Sequence, residues 1–475
     1  MVDRPDKATA FIDWYLAVVD AAGLTDKRYP VKGMNVWPPY GLAARRNLDA
    51  ILVREIEATG SLAVEFPALI PATEFAKEAE HIKGFDAEVF WVTRGGATEL
   101  DVPLALRPTS ETAMYPIFAL WVRSHRDLPL NVYQIVNTFR TDTKTTRPFV
   151  RVREIHFFEE HTCQADRPAA EERVRSNLAA FRRMAHDLAL PYLTVRRPEW
   201  DKFPGAFYSL AFDTPVGGPQ TLQIGTVHYY HENFARPYGI RYEAPDGSSP
   251  YVHQTTFGLS ERLLGAVVAV HGDAKGVVLP STVAPYQVVV VPIVAAGAGD
   301  APVRAARAFA ERLRRHGRRV FLDEGDERPG AKYYRWESRG VPLRLDVGAR
   351  EAAADGATAV DRLGRRASVP GATLEAEVDR RLAAYDDALR ERAATEFRAR
   401  FAIVRTLDGL TNPTAVAIVP WCGAEACGHA IEAAVGGGLL GTPEEGLPVD
   451  AGSPGPCVAC GRADGSRWAL AARPL

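Results

Sequence analysis

Asn137-Thr138-Phe139-Arg140-Thr141-Asp142, followed by Thr146-Arg147-Pro148-Phe149-Val150-Arg151-Val152-Arg153-Glu154, is the stretch from which the fold is read. Its two halves belong to strand-like runs over 132–140 and 150–161, rich in β-branched and aromatic residues. Further runs of this kind lie at 104–106, 208–212, 220–227 and 251–257. Helical patterns cover 42–60, 111–125, 168–190 and 260–271, and 62–71 reads as an extended segment punctuated by Pro67. Most of these strands succeed one another without regular crossover helices. That order predicts an antiparallel sheet flanked by helices across residues 1–280.

The chain then changes character. Strand-like runs at 286–293, 319–323 and 342–347 alternate with helical patterns at 301–316 and 329–339, a βαβαβ rhythm that predicts a largely parallel α/β domain over 285–395. Asp300 is the expected cap of the first of those helices, with Pro302 tolerated in its first turn. An Arg-rich helix over 375–401 leads into a last unit, 396–475, rich in Gly and Pro. The fold class expected is thus α/β, or α+β in the first domain, with two smaller α/β domains behind it.

A chain of 475 residues exceeds one core and suggests two or three domains. Hydrophobic residues make up 47% and charged residues 24%, as in an ordinary globular protein. The net charge of −2 argues against non-specific nucleic-acid binding, but not against a tRNA held by local basic patches. Residues 1–23 read as an amphipathic packing helix rather than a secretory signal. The uncharged stretch 276–299 is broken by Pro280, Pro285 and Pro292, so a linker into a buried strand is expected there and no membrane span. A cytoplasmic protein is the expectation.

Four blocks carry the chemistry. Arg107-Pro108-Thr109-Ser110-Glu111 precedes the two quoted above, and Gly258-Leu259-Ser260-Glu261-Arg262 lies far downstream. Taken singly each has an ordinary explanation. Arg-Pro marks surface turns, Gly-x-x-x-Arg recurs by chance, and Thr-Ser-Glu before an apolar run is also a helix start capped by Thr109 or Ser110. In this order the blocks resemble the class II aminoacyl-tRNA synthetases, and Thr109-Ser110-Glu111 narrows the resemblance to the prolyl-tRNA synthetases. The stretch 13–292 is similar to that family nearly throughout, including Lys202-Phe203-Pro204-Gly205-Ala206.

The resemblance implies a reaction in which an amino-acid carboxylate attacks the α-phosphate of ATP, with Mg²⁺. Arginine suits such a site because its planar fork grips phosphate or carboxylate oxygens and keeps its charge. By resemblance Arg140 bridges the α-phosphate and the substrate carboxylate, and Arg262 lies against the γ-phosphate and the adenine. Asp142, Arg151, Val152, Gln223, Thr226 and Ser260 complete the implied ATP contacts, with the loop 143–147 over the nucleotide. Thr109, Glu111 and Arg140 would bind L-proline, whose secondary ammonium has two N–H bonds to satisfy. His228 would line the proline ring, with Phe157 or Phe158 capping it. The sequence departs from the family pattern at Thr141, at Asp142 (usually glutamate) and at Ile155 (often a stacking phenylalanine). The interval between Arg140 and Arg262 leaves no room for the editing insertion of bacterial-type members.

Five cysteines are present, and Cys422-Gly-Ala-Glu-Ala-Cys427 with Cys457-Val-Ala-Cys460 makes two paired knuckles spaced for tetrahedral Zn²⁺. Four buried thiols in a small domain is the alternative. The surrounding Trp421-Cys422-Gly423 resembles the zinc unit of archaeal and eukaryotic prolyl-tRNA synthetases, which implies a structural metal. His429 reads as a solvated helix residue, and Cys163 as an inert core thiol. Residues 285–395 resemble the anticodon-binding domain of class II synthetases. There Lys332-Tyr333-Tyr334-Arg335-Trp336-Glu337 could stack on loop bases of tRNA(Pro) or merely pack its helix. The resemblance also implies a homodimer formed around Pro67. The alternative functions are a synthetase-like regulatory paralogue and a class II synthetase for another small amino acid.

Overall fold

The computed structural model describes residues 4–76, 89–141, 145–294 and 299–475. Its centre is an eleven-stranded sheet. Starting at Leu62–Ala63, the order runs through Leu130–Phe139, Glu154–Gln164, His253–Ser260, Gln220–His231, Tyr208–Gly217 and Leu193–Arg196. It continues through Gly438–Pro443, Arg467–Pro474 and Val416–Trp421 to Phe401–Ile403. From Leu130–Phe139 to Leu193–Arg196 every neighbouring pair is antiparallel, as expected from strands that follow one another in sequence. Within residues 1–280 the sequence reading passed over two strands, Trp91–Gly95 and Leu193–Arg196.

One face of the central strands packs on the helices Arg167–Asp187 and Arg262–His271. The first begins where Asp166 accepts a hydrogen bond from the Ala169 amide at 2.9 Å, with Pro168 in its opening turn. Its residues Ala170, Val174, Asn177, Phe181 and Met184 recur at helical spacing and are buried. Phe181 stacks on Phe212 of the sheet at 3.8 Å between centroids. The second helix is buried along Leu263, Leu264, Ala266, Val267 and Val268.

The five-stranded sheet of the following unit differs from the rhythm expected. Val288–Pro292 pairs in parallel with Val320–Leu322 and Leu343–Val347, but an antiparallel hairpin, Gly356–Asp361 and Arg366–Pro370, extends the sheet. Its first strand buries small residues (Ala357, Ala359) and its second buries Val369 alone, so little hydrophobic alternation announces it. Asp300 does stand at the N-cap of Ala301–Arg315, yet its carboxylate engages Arg304 and makes no capping bond.

The cysteine-bearing segment is compositionally distinct but shares the large sheet. Gly438–Pro443 pairs antiparallel with Leu193–Arg196, and Arg473 and Pro474 pair in parallel with Gln220 and Thr221. No helix among the described residues is long and apolar enough to cross a membrane.

Candidate active site

The other face of the central strands forms the floor of a cavity of about 370 Å³. Register builds that floor. Thr256 stands between His228 and His161, and Gly258 between Thr226 and Glu159, across three adjacent strands. All six residues line the cavity, because side chains two apart on a strand share a face. Gly258 keeps the floor open, since a Cβ there would lie 3.1 Å from the Phe157 ring.

The described residues expected from sequence to touch ATP or proline line this cavity, apart from Phe158 and residues 145–147 of the expected covering loop. Thr109, Glu111 and His228 lie on its walls and floor, as do Arg140, Arg151 and Arg262. So do Val152, Gln223, Thr226 and Ser260. Asp142 and residues 143–144 of the expected covering loop lie outside the described residues. Phe157 and Ile155 also face the cavity, whereas Phe158 is in the core against Tyr133 and Phe257.

Main-chain oxygens help to hold the guanidinium groups. Arg140 Nε donates to Pro108 O at 3.1 Å, and Arg262 Nε to Val150 O at 2.8 Å. Arg151 Nε donates to the Leu475 backbone oxygen at 3.4 Å. Arg107 does not mark a surface turn. It is buried, donating to Phe66 O at 2.6 Å and Asn137 O at 2.9 Å, and so ties its block to the neighbouring strand.

At the opposite end the Glu111 carboxylate is clamped. Thr109 Oγ1 donates to one oxygen at 2.5 Å and the Tyr230 hydroxyl to the other at 2.8 Å. Two hydroxyls leave acceptor capacity on the carboxylate, which suits a cationic N–H donor. Ser110 does not cap its helix. Its hydroxyl turns inward to Glu159, which also accepts from Gln134 Nε2 at 2.8 Å and meets His161 Nε2 at 3.1 Å. His228 Nδ1 lies 2.8 Å from the Ser209 hydroxyl, and burial pushes its pKa down to about 3, so the ring is neutral. Burial raises the pKa of Glu261, beside Arg262, to about 8.

The sequence reading missed Tyr230, Glu159, His161 and Ser209. For the first three a signal existed: Tyr230 continues the alternation of Thr226 and His228, while Glu159 and His161 continue that of Phe157.

A second cluster lies in the carboxyl-terminal unit. The ligand atoms of Cys422, Cys427, Cys457 and Cys460 all fall within 4.8 Å of one another. Cys422 Sγ and Cys460 Sγ are 3.8 Å apart, and a tetrahedron with metal–sulfur bonds of about 2.3 Å has edges of about 3.8 Å. The donor set therefore fits one closed tetrahedral ion of the zinc type. His429 stays outside it, with Nδ1 at 2.7 Å from Glu432. Cys163 is fully buried, and burial raises its thiol far out of the reactive range.

Sequence comparison agrees with the geometry. Residues 90–271 match the tRNA synthetase class II core domain (G, H, P, S and T), and 287–378 match an anticodon binding domain. Residues 408–474 match the family described as Prolyl-tRNA synthetase, C-terminal. A proline–tRNA ligase of Thermococcus kodakarensis is 49% identical over 471 residues, covering 97% of both chains. The chain belongs to the prolyl-tRNA synthetases. A second proline–tRNA ligase, from Pyrococcus abyssi, is also 49% identical, over 97% of this chain and 98% of its own. The Giardia lamblia prolyl-tRNA synthetase in complex with prolyl-adenylate superposes with a TM-score of 0.93 at 31% identity, covering all of both chains. The Cryptosporidium parvum enzyme complexed with L-proline and AMP gives 0.90 at 28% identity, over 100% of this chain and 98% of its own.

The buried Glu159–His161 pair makes a stability prediction. Burial opposes both charges, but each partner's hydrogen bond and charge prevail: His161 is raised from 6.5 and Glu159 lowered from 4.5. The histidine contribution is complete below pH 6.5 and is lost as pH rises through its raised value. The glutamate contribution is complete above pH 4.5 and is lost as pH falls through its lowered value. His161→Gln should therefore cost about 3–5 kcal/mol between those limits, the penalty of leaving one buried partner unmatched, and less at alkaline pH. Thermal unfolding of both proteins from pH 4 to 9 measures this; a pH-independent difference would contradict the pair.

Proposed function

We propose that this enzyme activates L-proline with ATP through the residues of the cavity described above, and then transfers the prolyl group to tRNA(Pro). In the first step a proline carboxylate oxygen attacks the α-phosphorus and the bond to pyrophosphate breaks. The prolyl-adenylate then loses AMP when the terminal ribose hydroxyl of the tRNA attacks its carbonyl. The observation that carries this reading is the meeting, in one cavity, of three guanidinium groups with the clamped carboxylate of Glu111.

Arg140, the residue between the two ends, is assigned to the α-phosphate and the substrate carboxylate, where charge grows during attack. Arg262, Arg151, Gln223, Thr226, Ser260 and the backbone of Val152 are assigned to the nucleotide, with Asp142 beyond the described residues. Glu111 and Thr109 would take the secondary ammonium of proline, and neutral His228 would pack on the ring. Mg²⁺ would offset triphosphate charge when bound. Zn²⁺ at the four cysteines would be structural, since four thiolates close its coordination.

A homodimer is part of the reading. Leu62 is 70% exposed and Trp121 45% exposed, beside an apolar groove lined by Phe66, Pro67, Leu69, Ile70 and Pro116. A cytoplasmic setting suits five free thiols, four of them packed together. In the anticodon-type unit, Trp336 and Lys332 are buried and bond to Asp323, so they pack the helix. Tyr333 packs against the cluster of Val289 and Trp336 with Arg344 over its ring at 3.6 Å, so exposed Tyr334 is the aromatic assigned to RNA stacking.

Proline-dependent exchange of pyrophosphate into ATP tests the assignment, with threonine, alanine and cysteine as competitors. Arg140→Ala should lower kcat for the exchange by about 10²–10³-fold, as for loss of a transition-state donor. Glu111→Gln should chiefly raise KM for proline and leave KM for ATP near its original value. A chain inert toward all four amino acids would favour the regulatory-paralogue reading.

Proofreading gives a second prediction. Between Arg140 and Arg262 the described residues are strands and helices of the catalytic sheet, so no separate editing domain is proposed. Alanine lacks ring carbons, each worth about 1–3 kcal/mol, and should be activated about 10²- to 10⁴-fold less efficiently than proline. Ala-tRNA should then persist when incubated with the enzyme, and its rapid hydrolysis would refute this.

A further inference from the structure

The segment 197–207, between the strands Leu193–Arg196 and Tyr208–Gly217, roofs the amino-acid end of the cavity. Asp201, Lys202, Phe203 and Pro204 all line it. The Phe203 ring lies 4.9 Å from His228 and 5.7 Å from Tyr230. Its amide donates at 2.9 Å to the same Ser209 hydroxyl that His228 touches. Phe203 is thus joined to the groups proposed to receive the proline ring.

The other anchorage of this segment lies in the cysteine-bearing unit. Arg197 Nη1 donates to Leu440 O at 3.0 Å, while its Nη2 holds Asp213 and Gln223 Oε1. Trp200 reaches further in. Its indole N–H donates to Glu432 Oε1 at 3.0 Å, and its ring meets Trp421 edge-on at 5.9 Å and His429 at 4.9 Å. Gly428 leaves the space that the ring occupies. Trp421 immediately precedes Cys422 and Gly428 immediately follows Cys427, so Trp200 abuts the chain beside two of the four clustered thiols. Glu432 is itself fixed, taking His429 on its second oxygen and the Leu439 amide on the first.

We infer that Trp200 is a positioning residue: it pins the 201–204 segment over the amino-acid end of the cavity, and through it the cysteine-bearing unit serves amino-acid binding. The inference rests on the proline-ligase reading for what the cavity holds, but not for how Trp200 is held. Only Asp201 and Lys202 separate Trp200 from Phe203, too short a span for one end to loosen without the other. A roof that must be ordered at each binding event weakens binding of the ligand beneath it and leaves the nucleotide end untouched.

The test uses the full-length protein with metal bound. Trp200→Ala should raise KM for proline by about ten-fold, the scale of reordering one or two side chains, with kcat and KM for ATP within about two-fold. Trp200→Phe, which keeps the ring contacts and loses the Glu432 bond, should fall between the two. Without any substrate, hydrogen exchange of the peptide 197–207 should quicken in Trp200→Ala and also in the unaltered enzyme stripped of metal by a chelator. The strand Gln220–His231 should keep its protection in both. The proposal is overturned if exchange at 197–207 is the same with and without metal, or if proline and ATP KM rise together as kcat falls. Should Trp200→Ala fail to fold, Trp200→Phe and the chelated wild type decide by the same criteria. Absence of proline-dependent exchange in the unaltered enzyme would instead defeat the ligase reading, leaving the hydrogen-exchange result to judge Trp200.

Discussion

The strands Glu154–Gln164, Gln220–His231 and His253–Ser260 are buried on both faces, and the two faces carry different chemistry. In the first of them Phe157, Glu159 and His161 look into the cavity while Phe158 and Glu160 look toward the helices. Glu160 is matched there by Arg173 and Asn177, and Glu159 on the opposite face by Ser110, Gln134 and His161. A buried carboxylate without such partners would cost several kcal/mol or neutralise itself. Slipping this strand by one residue would exchange the faces and strand both acids at once. Register, held by these polar contacts, is therefore the constraint on which the cavity rests.

That constraint explains what the sequence could convey. Arg140, Arg262, Thr109 and Glu111 are legible because each sits in a short local pattern, and the cavity needs residue types with few substitutes. The buried role of Arg107 was not legible, because its partners, Phe66 O and Asn137 O, lie thirty or more positions away. Tyr230 could have been found by extending the alternation from Thr226, but its value comes from Glu111, a contact across 119 positions. The hairpin of Gly356–Asp361 and Arg366–Pro370 stayed hidden for a different reason. Its buried side chains are Ala357, Ala359 and the single Val369, and a pattern made mostly of small residues carries little hydrophobic contrast.

The carboxyl-terminal unit shows the limit of reading domains from composition. Its glycines, prolines and clustered cysteines set it apart in sequence, yet its strands complete the sheet that begins with Leu62–Ala63. Leu193–Arg196 would otherwise be an edge with unpaired main-chain groups beside the cavity. Gly438–Pro443 covers that edge, and the pairing of Arg473 with Gln220 brings the chain's last strand next to the floor. A thiol cluster distant in sequence thus becomes part of the support for residues that line the site.

Arginines are held in this fold by both carboxylates and main-chain oxygens. Arg173 engages Glu160, and Arg197 lies 2.8 Å from Asp213; both pairs are buried, and each cation is largely cancelled by its partner. Arg140 and Arg262 donate to the carbonyls of Pro108 and Val150 among their contacts, and Arg151 donates to a backbone oxygen of Leu475. A carbonyl orients a guanidinium fork toward the cavity these residues line. Such carbonyl seats fix the fork before the ligand arrives, and little reorientation is then needed as charge develops on phosphate. A cavity furnished this way favours a polyanion at one end, while the clamped carboxylate at the other favours a small cation. An amino acid and a triphosphate satisfy both ends together only when carboxylate and phosphate meet near Arg140.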